Sequence, residues 1–430
     1  MMQNSGQTPI REKTPIGFHV MAKPIGPACN LDCKYCYYTE KEVLFGKNEN
    51  FRMSDKVLEA YVKKYITGQP VPEVEFVWQG GEPTLLGVDF FRKAVRLQLK
   101  YGKNKRIKNS LQTNGTLFTD EWCEFLKENN FLVGLSLDGP EEIHDRYRVD
   151  RGGKPTFDAV MRGLRLLQKH GVEYNVMACV AKETAFRFLT VYRFLKKEGV
   201  KFIQFMPIVE REAGARAKER GFHLAGPAAL DKEEANTRVT EWSVGPVEYG
   251  TFLSGVFDEW VRNDVGNIFV MNFEWALNAW IGNPSPVCKY ANRCGRALVL
   301  EHNGDIYACD HTVYPDYKLG NILTDDPEQM IERSLASGFG INKESALPEQ
   351  CRKCEVLHLC RGECPKNRFA TAYNNEPGLH YLCAGYKKFF LHIRKHLNMI
   401  TKLLENGLPA SYVMKAAEGP LVIKLNRESN

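Results

Sequence analysis

Residues 18–36 read Phe-His-Val-Met-Ala-Lys-Pro-Ile-Gly-Pro-Ala-Cys-Asn-Leu-Asp-Cys-Lys-Tyr-Cys. The opening part, 18–23, is a short β-rich run. The closing part sets Cys29, Cys33 and Cys36 in the loop just after it, spaced C-x3-C-x2-C. Five more β-rich runs follow at 74–79, 107–112, 131–137, 174–180 and 202–206. Amphipathic helical patterns separate them, at about 53–66, 88–101, 119–129, 156–170 and 185–198. Ser54 and Thr119 stand where N-caps are expected, and Gly171 and Gly199 follow the expected helix ends. Strands alternating with helices predict a parallel sheet covered by helices, either open or curved into a barrel. In both cases ligands collect at the C-terminal ends of the strands. Gln79-Gly80-Gly81-Glu82-Pro83, Thr113-Asn114-Gly115 and Asp138-Gly139-Pro140 all fall there.

Composition sets the limits. The chain has 430 residues, 43% hydrophobic and 26% charged, which predicts a globular protein of one large domain and a smaller one. The net charge of +6 is the small difference between 58 basic and 52 acidic residues, so no nucleic-acid partner is expected. There is no apolar run of about 18 residues, so no membrane span is expected. Residues 1–14 are polar and lack a signal-peptide core, so a cytoplasmic location is expected.

The 13 cysteines are odd in number and the chain is long, which argues against a secreted disulfide scaffold. Cys29, Cys33 and Cys36 can wrap one metal centre but leave a four-ligand centre incomplete. An iron–sulfur cubane with one free iron meets that description. A zinc loop with a distant fourth ligand is the alternative. Cys123, in a helical pattern, and Cys179, in a strand, read as small core residues.

A second group comprises Cys288, Cys294, Cys309, Cys351, Cys354, Cys360, Cys364 and Cys383. Eight thiols complete two four-ligand sites, cubanes or zinc centres, and spacing leaves the partition open. Residues 298–301, Asn303-Gly304 and 306–309 read as a hairpin, with Asn-Gly suiting a type I′ turn. Residues 208–250 are a charged connection; 251–282 are helical and aromatic, suited to packing on the first domain. The expected organisation is a barrel at 15–225, a linker and helical segment at 226–287, a cysteine-rich domain at 288–390, and a helix and tail at 391–430.

The C-x3-C-x2-C loop, with an aromatic before its last cysteine, resembles the signature of radical S-adenosylmethionine (SAM) enzymes. That resemblance implies a partial (β/α)6 TIM-like barrel. It also implies a 4Fe-4S cluster held by Cys29, Cys33 and Cys36, whose free iron chelates SAM. One electron then cleaves SAM to methionine and a 5′-deoxyadenosyl radical. Gly80-Gly81-Glu82-Pro83 is similar to the family's GGEP segment, which places Gly81 at the SAM amino group. Ser136 and Arg148 match positions that contact the SAM ribose and carboxylate; otherwise they are a strand-end hydroxyl and a surface arginine. Tyr35 and Val209 match adenine contacts, Tyr35 being otherwise a loop-packing residue. The second cysteine group resembles the SPASM domain with two auxiliary 4Fe-4S clusters, three clusters in all. Carried over, its interleaved ligation assigns Cys288, Cys294, Cys309 and Cys364 to one and Cys351, Cys354, Cys360 and Cys383 to the other. Full cysteine ligation leaves these clusters to move electrons.

Within SPASM proteins the chain is most similar to anaerobic sulfatase-maturating enzymes. The resemblance lies in Ala22-Lys23-Pro24-Ile25-Gly26-Pro27, Cys36-Tyr37-Tyr38, Trp78-Gln79-Gly80-Gly81-Glu82-Pro83-Thr84 and Cys309-Asp310. It implies oxidation of a cysteine or serine in an unfolded sulfatase polypeptide to Cα-formylglycine. An external donor such as a flavodoxin or ferredoxin supplies electrons. Asp310 matches the carboxylate that removes the thiol or hydroxyl proton; burial is expected to raise its pKa. Gln79 is expected to orient the substrate backbone, and Tyr38 to stand near the SAM cluster. Another SPASM peptide maturase, forming a thioether or carbon–carbon crosslink, is the alternative. About 15 residues precede the first predicted strand, so the peptide-recognition domain those enzymes often carry is not expected, which favours sulfatase maturation.

Overall fold

All six β-rich runs are strands of one sheet: β1 (His19–Lys23), β2 (Glu73–Trp78), β3 (Arg106–Thr113), β4 (Phe131–Ser136), β5 (Tyr174–Val180) and β6 (Phe202–Pro207). Each pairs in parallel with the next in chain order. This is the expected partial (β/α)6 barrel. The computed structural model describes residues 16–46, 48–226 and 238–417. The polar stretch 1–14, part of the 208–250 connection and the end of the tail lie outside the described residues.

Helices Asp55–Gly68, Val88–Tyr101, Asp120–Glu128, Phe157–Lys169 and Phe188–Lys197 connect the strands. Two begin where the capping residues predicted. The Ser54 hydroxyl accepts from Val57 N–H at 3.3 Å, and the Thr119 hydroxyl from Trp122 N–H at 3.3 Å. Gly171 and Gly199 adopt φ of +61° and +77°, the left-handed conformation in which helices commonly stop. Tyr61 and Tyr65 meet Phe76 and Trp78 of β2 edge to face in the fully buried core.

The sheet does not end with the barrel. Phe269–Val270 (β7) adds to β6, and Ala297–Glu301 (β8) adds in parallel to β1, in register from His19↔Ala297 to Lys23↔Glu301. Asp305–Tyr307 (β9) and Lys318–Asn321 (β10) follow antiparallel, giving ten strands in the order β10-β9-β8-β1-β2-β3-β4-β5-β6-β7. The cysteine-rich lobe therefore continues the barrel sheet through its expected hairpin. The turn differs from expectation. Gly304 N–H closes on Glu301 C=O at 3.0 Å, and of the pair only Gly304 has positive φ (+91°). A type I′ turn needs Asn303 there too. Asn303 instead accepts from Asp305 N–H through its side chain, at 3.0 Å.

The aromatic segment forms helices Pro246–Asn263 and Met271–Trp280. Phe252 packs edge-on to Phe205 of β6, so the expected packing on the first domain is found. The same helices also receive the terminal helix Cys383–Glu405. Gly250 and Gly385 meet at that crossing; a Cβ on Gly385 would lie 2.0 Å from the Pro246 carbonyl oxygen, so only glycine fits. Among the described residues no helix is long and apolar enough to cross a membrane.

Candidate active site

The cysteine loop leaves the C-terminal end of β1 and is tied down on two sides. Asp32 N–H bonds Val149 C=O at 2.8 Å, and Lys34 N–H bonds Tyr147 C=O at 2.9 Å. On the other side Gly81 N–H reaches Gly26 C=O at 2.7 Å, and Glu82 N–H reaches Ala28 C=O at 2.9 Å. A Cβ on Gly81 would stand 1.9 Å from the Ala28 oxygen, so this glycine lets the two backbones touch. Glu82 is buried and its carboxylate is fully used. Oε1 accepts from Thr84 N–H (3.0 Å), Thr84 hydroxyl (2.6 Å) and Thr113 hydroxyl (2.7 Å); Oε2 accepts from Asn114 N–H (2.7 Å). Asn114 passes the link on to Asn30 at 2.9 Å. The ends of β1, β2 and β3 are thereby locked into one rim.

On that rim the thiols of Cys29, Cys33 and Cys36 lie within electrostatic range of one another. Burial, then the Glu82 charge, pushes the Cys29 thiol up to about 12. Soft thiol donors on a rigid loop suit an iron–sulfur cluster, and the backbone fixed by Gly81 presents them together. Among the described residues no three His, Cys, Asp or Glu side chains close around one point as ligands of a single ion would.

Next to this loop, Arg148 is buried at 7% exposure, not a surface arginine. Its Nε lies 3.0 Å from Asp138 Oδ2, its Nη2 3.5 Å from Cys179 Sγ, and its guanidinium stands 5.5 Å over the Tyr35 ring. Asp138 also accepts from the Tyr35 hydroxyl and, at 2.9 Å, from Cys179 N–H. The Tyr35 ring packs against Tyr147 at 5.8 Å. Cys123 is fully buried in the core, as expected. Cys179 is not: it is half-buried in a small cluster with Cys33, Tyr35 and Tyr147, because β5 ends there. Ser136 ends β4 and accepts from Gln112 Nε2 at 3.1 Å. Val209 is buried just beyond β6. Gln79 follows β2, half-buried, its side chain free of hydrogen bonds among the described residues.

His144 underpins the same wall. Its Nδ1 accepts from Asp138 N–H at 3.4 Å, and Nε2 lies 3.3 Å from the Thr156 hydroxyl. Burial brings its pKa down to about 4. The folded protein holds this ring neutral, whereas the unfolded chain protonates it below about pH 6.5. Its contribution to stability is therefore complete above that value and is lost as pH falls towards 4, by about 3 kcal/mol. Urea midpoints taken across this window are expected to fall with pH in the parent protein and to fall less steeply in His144→Gln.

Asp310 joins the two halves of the molecule. It lies one residue beyond Cys309, and its Oδ1 is 2.6 Å from the Nζ of Lys23, the last residue of β1. Its Oδ2 accepts from the Tyr37 hydroxyl at 2.5 Å. Lys23 is fully buried, with the Tyr38 ring face 3.5 Å away. Tyr38 in turn donates to Glu301 at 2.5 Å. The expected upward shift of Asp310 is not found. Burial acts upward, but the Lys23 ammonium, His311 and the Tyr37 hydroxyl outweigh it and hold the carboxyl well below the usual range. Lys23, Tyr37, Asp138 and Glu301 were not assigned roles from sequence. Lys23, Tyr37 and Asp138 do lie in segments singled out from the sequence, and Lys23 adds a signal of its own, a cation ending a strand that is apolar from Val20 to Ala22.

The eight C-terminal thiols fall into two neighbourhoods. Cys288 lies in electrostatic range of Cys294, Cys309 and Cys364. Cys360 lies in range of Cys351, Cys354 and Cys383. Of the basic residues around them, Arg293 pairs with Glu344, Lys353 with Glu349 and Lys366 with Glu210. A cleft bounded by Tyr37, Lys41, Val209, Glu210, His311 and Lys366 opens beside Asp310, between the barrel rim and the cysteine-rich lobe.

Comparison with known proteins agrees with this geometry. Residues 24–195 match the radical SAM superfamily, and residues 288–355 match the SPASM iron-sulfur cluster-binding domain. A serine-type anaerobic sulfatase-maturating enzyme of Bacteroides thetaiotaomicron is 46% identical, over 94% of this chain and 97% of its own length. A cysteine-type anaerobic sulfatase-maturating enzyme of Clostridium perfringens is 35% identical over 86% of this chain and 95% of its own. A solved structure of native anSMEcpe with bound AdoMet and the Cp18Cys peptide superposes with a TM-score of 0.77 at 33% identity, covering 90% of this chain and 99% of that one.

Proposed function

Since this chain belongs to the anaerobic sulfatase-maturating family of radical SAM enzymes, we propose that it oxidises a serine or cysteine of an unfolded sulfatase polypeptide to Cα-formylglycine. The observation that carries the reading is the position of Asp310. This carboxylate is one residue from Cys309 and bonded to Tyr37, which follows Cys36, so it stands between the two cysteine-bearing regions, beside the cleft lined by Tyr37 and His311.

Cys29, Cys33 and Cys36 would hold the SAM-binding cluster. Cys288, Cys294, Cys309 and Cys364 would hold one auxiliary 4Fe-4S cluster, and Cys351, Cys354, Cys360 and Cys383 the other. The two thiol neighbourhoods support that partition. Bound there, SAM and the clusters supply one-electron chemistry: hydrogen-atom abstraction at Cβ and removal of the second electron. The protein's own residues do the rest. Gly81 keeps the GGEP backbone against the cysteine loop, and Ser136, Arg148, Tyr35 and Val209 border the SAM pocket. Arg148, already held by Asp138, offers its remaining donors to a carboxylate. Gln79, whose side chain makes no hydrogen bond among the described residues, orients the substrate backbone. Asp310, kept ionised by Lys23, takes the proton of the target hydroxyl or thiol. Electrons come from an external flavodoxin or ferredoxin, and the site of action is the cytoplasm.

The test is mass spectrometry after anaerobic reconstitution. Peptides carrying S-x-P-x-R or C-x-P-x-R are incubated with SAM and a reductant. Loss of two hydrogens from the serine peptide, or exchange of the thiol for an aldehyde in the cysteine peptide, is expected together with 5′-deoxyadenosine. A crosslinked product instead would replace this reading with the peptide-crosslinking one. Absence of 5′-deoxyadenosine would remove both.

A further inference from the structure

Two cations inside the cysteine-rich lobe have no carboxylate at ion-pair distance among the described residues. Lys343, on the short helix Asn342–Ser345, is 1% exposed. Its ammonium donates to the carbonyls of Cys288 (2.8 Å), Lys289 (2.8 Å) and Ala291. Arg368, which is half-buried, is used in the same way. Nε donates to Gly362 C=O (2.8 Å) and Nη1 to Lys343 C=O (2.6 Å). Nη2 donates to Arg361 C=O (3.1 Å) and Glu363 C=O (3.2 Å). The two are therefore linked, and together they fasten the loops that carry Cys288 and Cys360–Cys364.

Carbonyl acceptors satisfy N–H donors but do not neutralise a unit charge. A buried charge without a counter-charge is costly, so such a cation persists where an anion is at hand. The surroundings differ for the two. Lys343 lies in electrostatic range of Cys288 and Cys294, and Glu363 is the nearest acid to act on it. Arg368 lies in range of Cys351, Cys360 and Cys364, so it faces both thiol neighbourhoods, and the Glu363 carboxylate acts on it more weakly than these thiols. A cubane with four thiolates is anionic and becomes more so on reduction. Nearby positive charge therefore eases electron uptake, because the net charge around a cluster sets its potential.

We propose that Lys343 and Arg368 are the counter-cations of the auxiliary clusters, Lys343 serving the Cys288 group and Arg368 shared by both. Their charge raises the reduction potentials and makes these clusters acceptors for the electron leaving the substrate. The inference rests on the two-cluster reading given above. Both residues act as positioning residues, through the cysteine loops and the field around them.

The experiment is an anaerobic redox titration of the reconstituted full chain, followed by electron paramagnetic resonance, with iron and sulfide counted. Lys343→Gln keeps N–H donors for the carbonyls and removes the charge. It is expected to lower the midpoint of one auxiliary cluster and leave the other two clusters unmoved. Arg368→Gln is expected to lower both auxiliary midpoints and spare the SAM cluster. Lys343→Arg and Arg368→Lys are expected to restore parent values. Full iron with unmoved potentials in both glutamine variants overturns the inference alone. If a glutamine variant lacks iron, its charge-conserving partner decides: full iron at the parent potential supports the counter-charge, and lost iron overturns it. A parent protein with fewer than two auxiliary signals overturns the cluster reading and the inference with it.

Discussion

Asp310→Asn is expected to leave iron content and SAM cleavage intact while formylglycine formation falls by about 100- to 10,000-fold, the range that positioned acid–base groups contribute. The substitution keeps the size of the side chain but removes its capacity to take a proton. Hydrogen abstraction at Cβ does not call on Asp310. A Cβ-deuterated peptide should therefore still deliver deuterium to 5′-deoxyadenosine in the variant. In the proposed mechanism the carbon radical left behind is strongly reducing only once the neighbouring thiol or hydroxyl proton has gone, and that is the step the asparagine is expected to stop. Tyr37 and Lys23 place the carboxylate, at 2.5 and 2.6 Å, and asparagine leaves the buried Lys23 ammonium without its counter-charge, at a cost of about 3–5 kcal/mol in stability, so iron content and thermal unfolding of the variant are measured beside its activity. Aldehyde produced at the parent rate would remove Asp310 from the mechanism.

Lys23→Met is expected to destabilise the protein by about 3–5 kcal/mol, the usual result of breaking a buried ion pair from one side. Lys23 is fully buried, and the Asp310 side chain is only 20% exposed, so solvent offers little compensation for the carboxylate left behind. Methionine fills the space of the alkyl stem. The cost therefore reports the charge and not a cavity. The double variant Lys23→Met with Asp310→Asn separates the two contributions: it is expected to recover part of the loss, because no unpaired charge remains. Anaerobic thermal unfolding of the reconstituted proteins measures this. An additive double variant would show that the pair is not coupled.

Much of the fold was legible locally. Strand and helix patterns from 18 to 206 correspond to β1–β6 and the helices between them, because periodicity and capping are properties of neighbouring residues. The cysteine spacing was legible for the same reason. The hairpin was visible, but its turn followed the side-chain bonding of Asn303 and not the preference of the Asn-Gly pair. Arg148 could be picked out by resemblance, yet its burial could not. Cys179 looked like core from its strand, whereas the strand end opens it towards Cys33 and Arg148.

By itself the sequence determined the alternating β/α order, the rim segments and the two sets of closely spaced thiols, all of which depend on short-range spacing. Only the tertiary structure decided that β8 lies beside β1, which neighbourhood each C-terminal cysteine joins, and that Asp310 is held low instead of raised. Each of these depends on groups far apart in the chain. Tyr37 and Asp310, which share a proton-donating contact, are 273 positions apart. Their meeting follows from strand pairing across the sheet, and so does the electrostatic balance at Asp310, since its decisive charge, Lys23, comes from the opposite end of the chain.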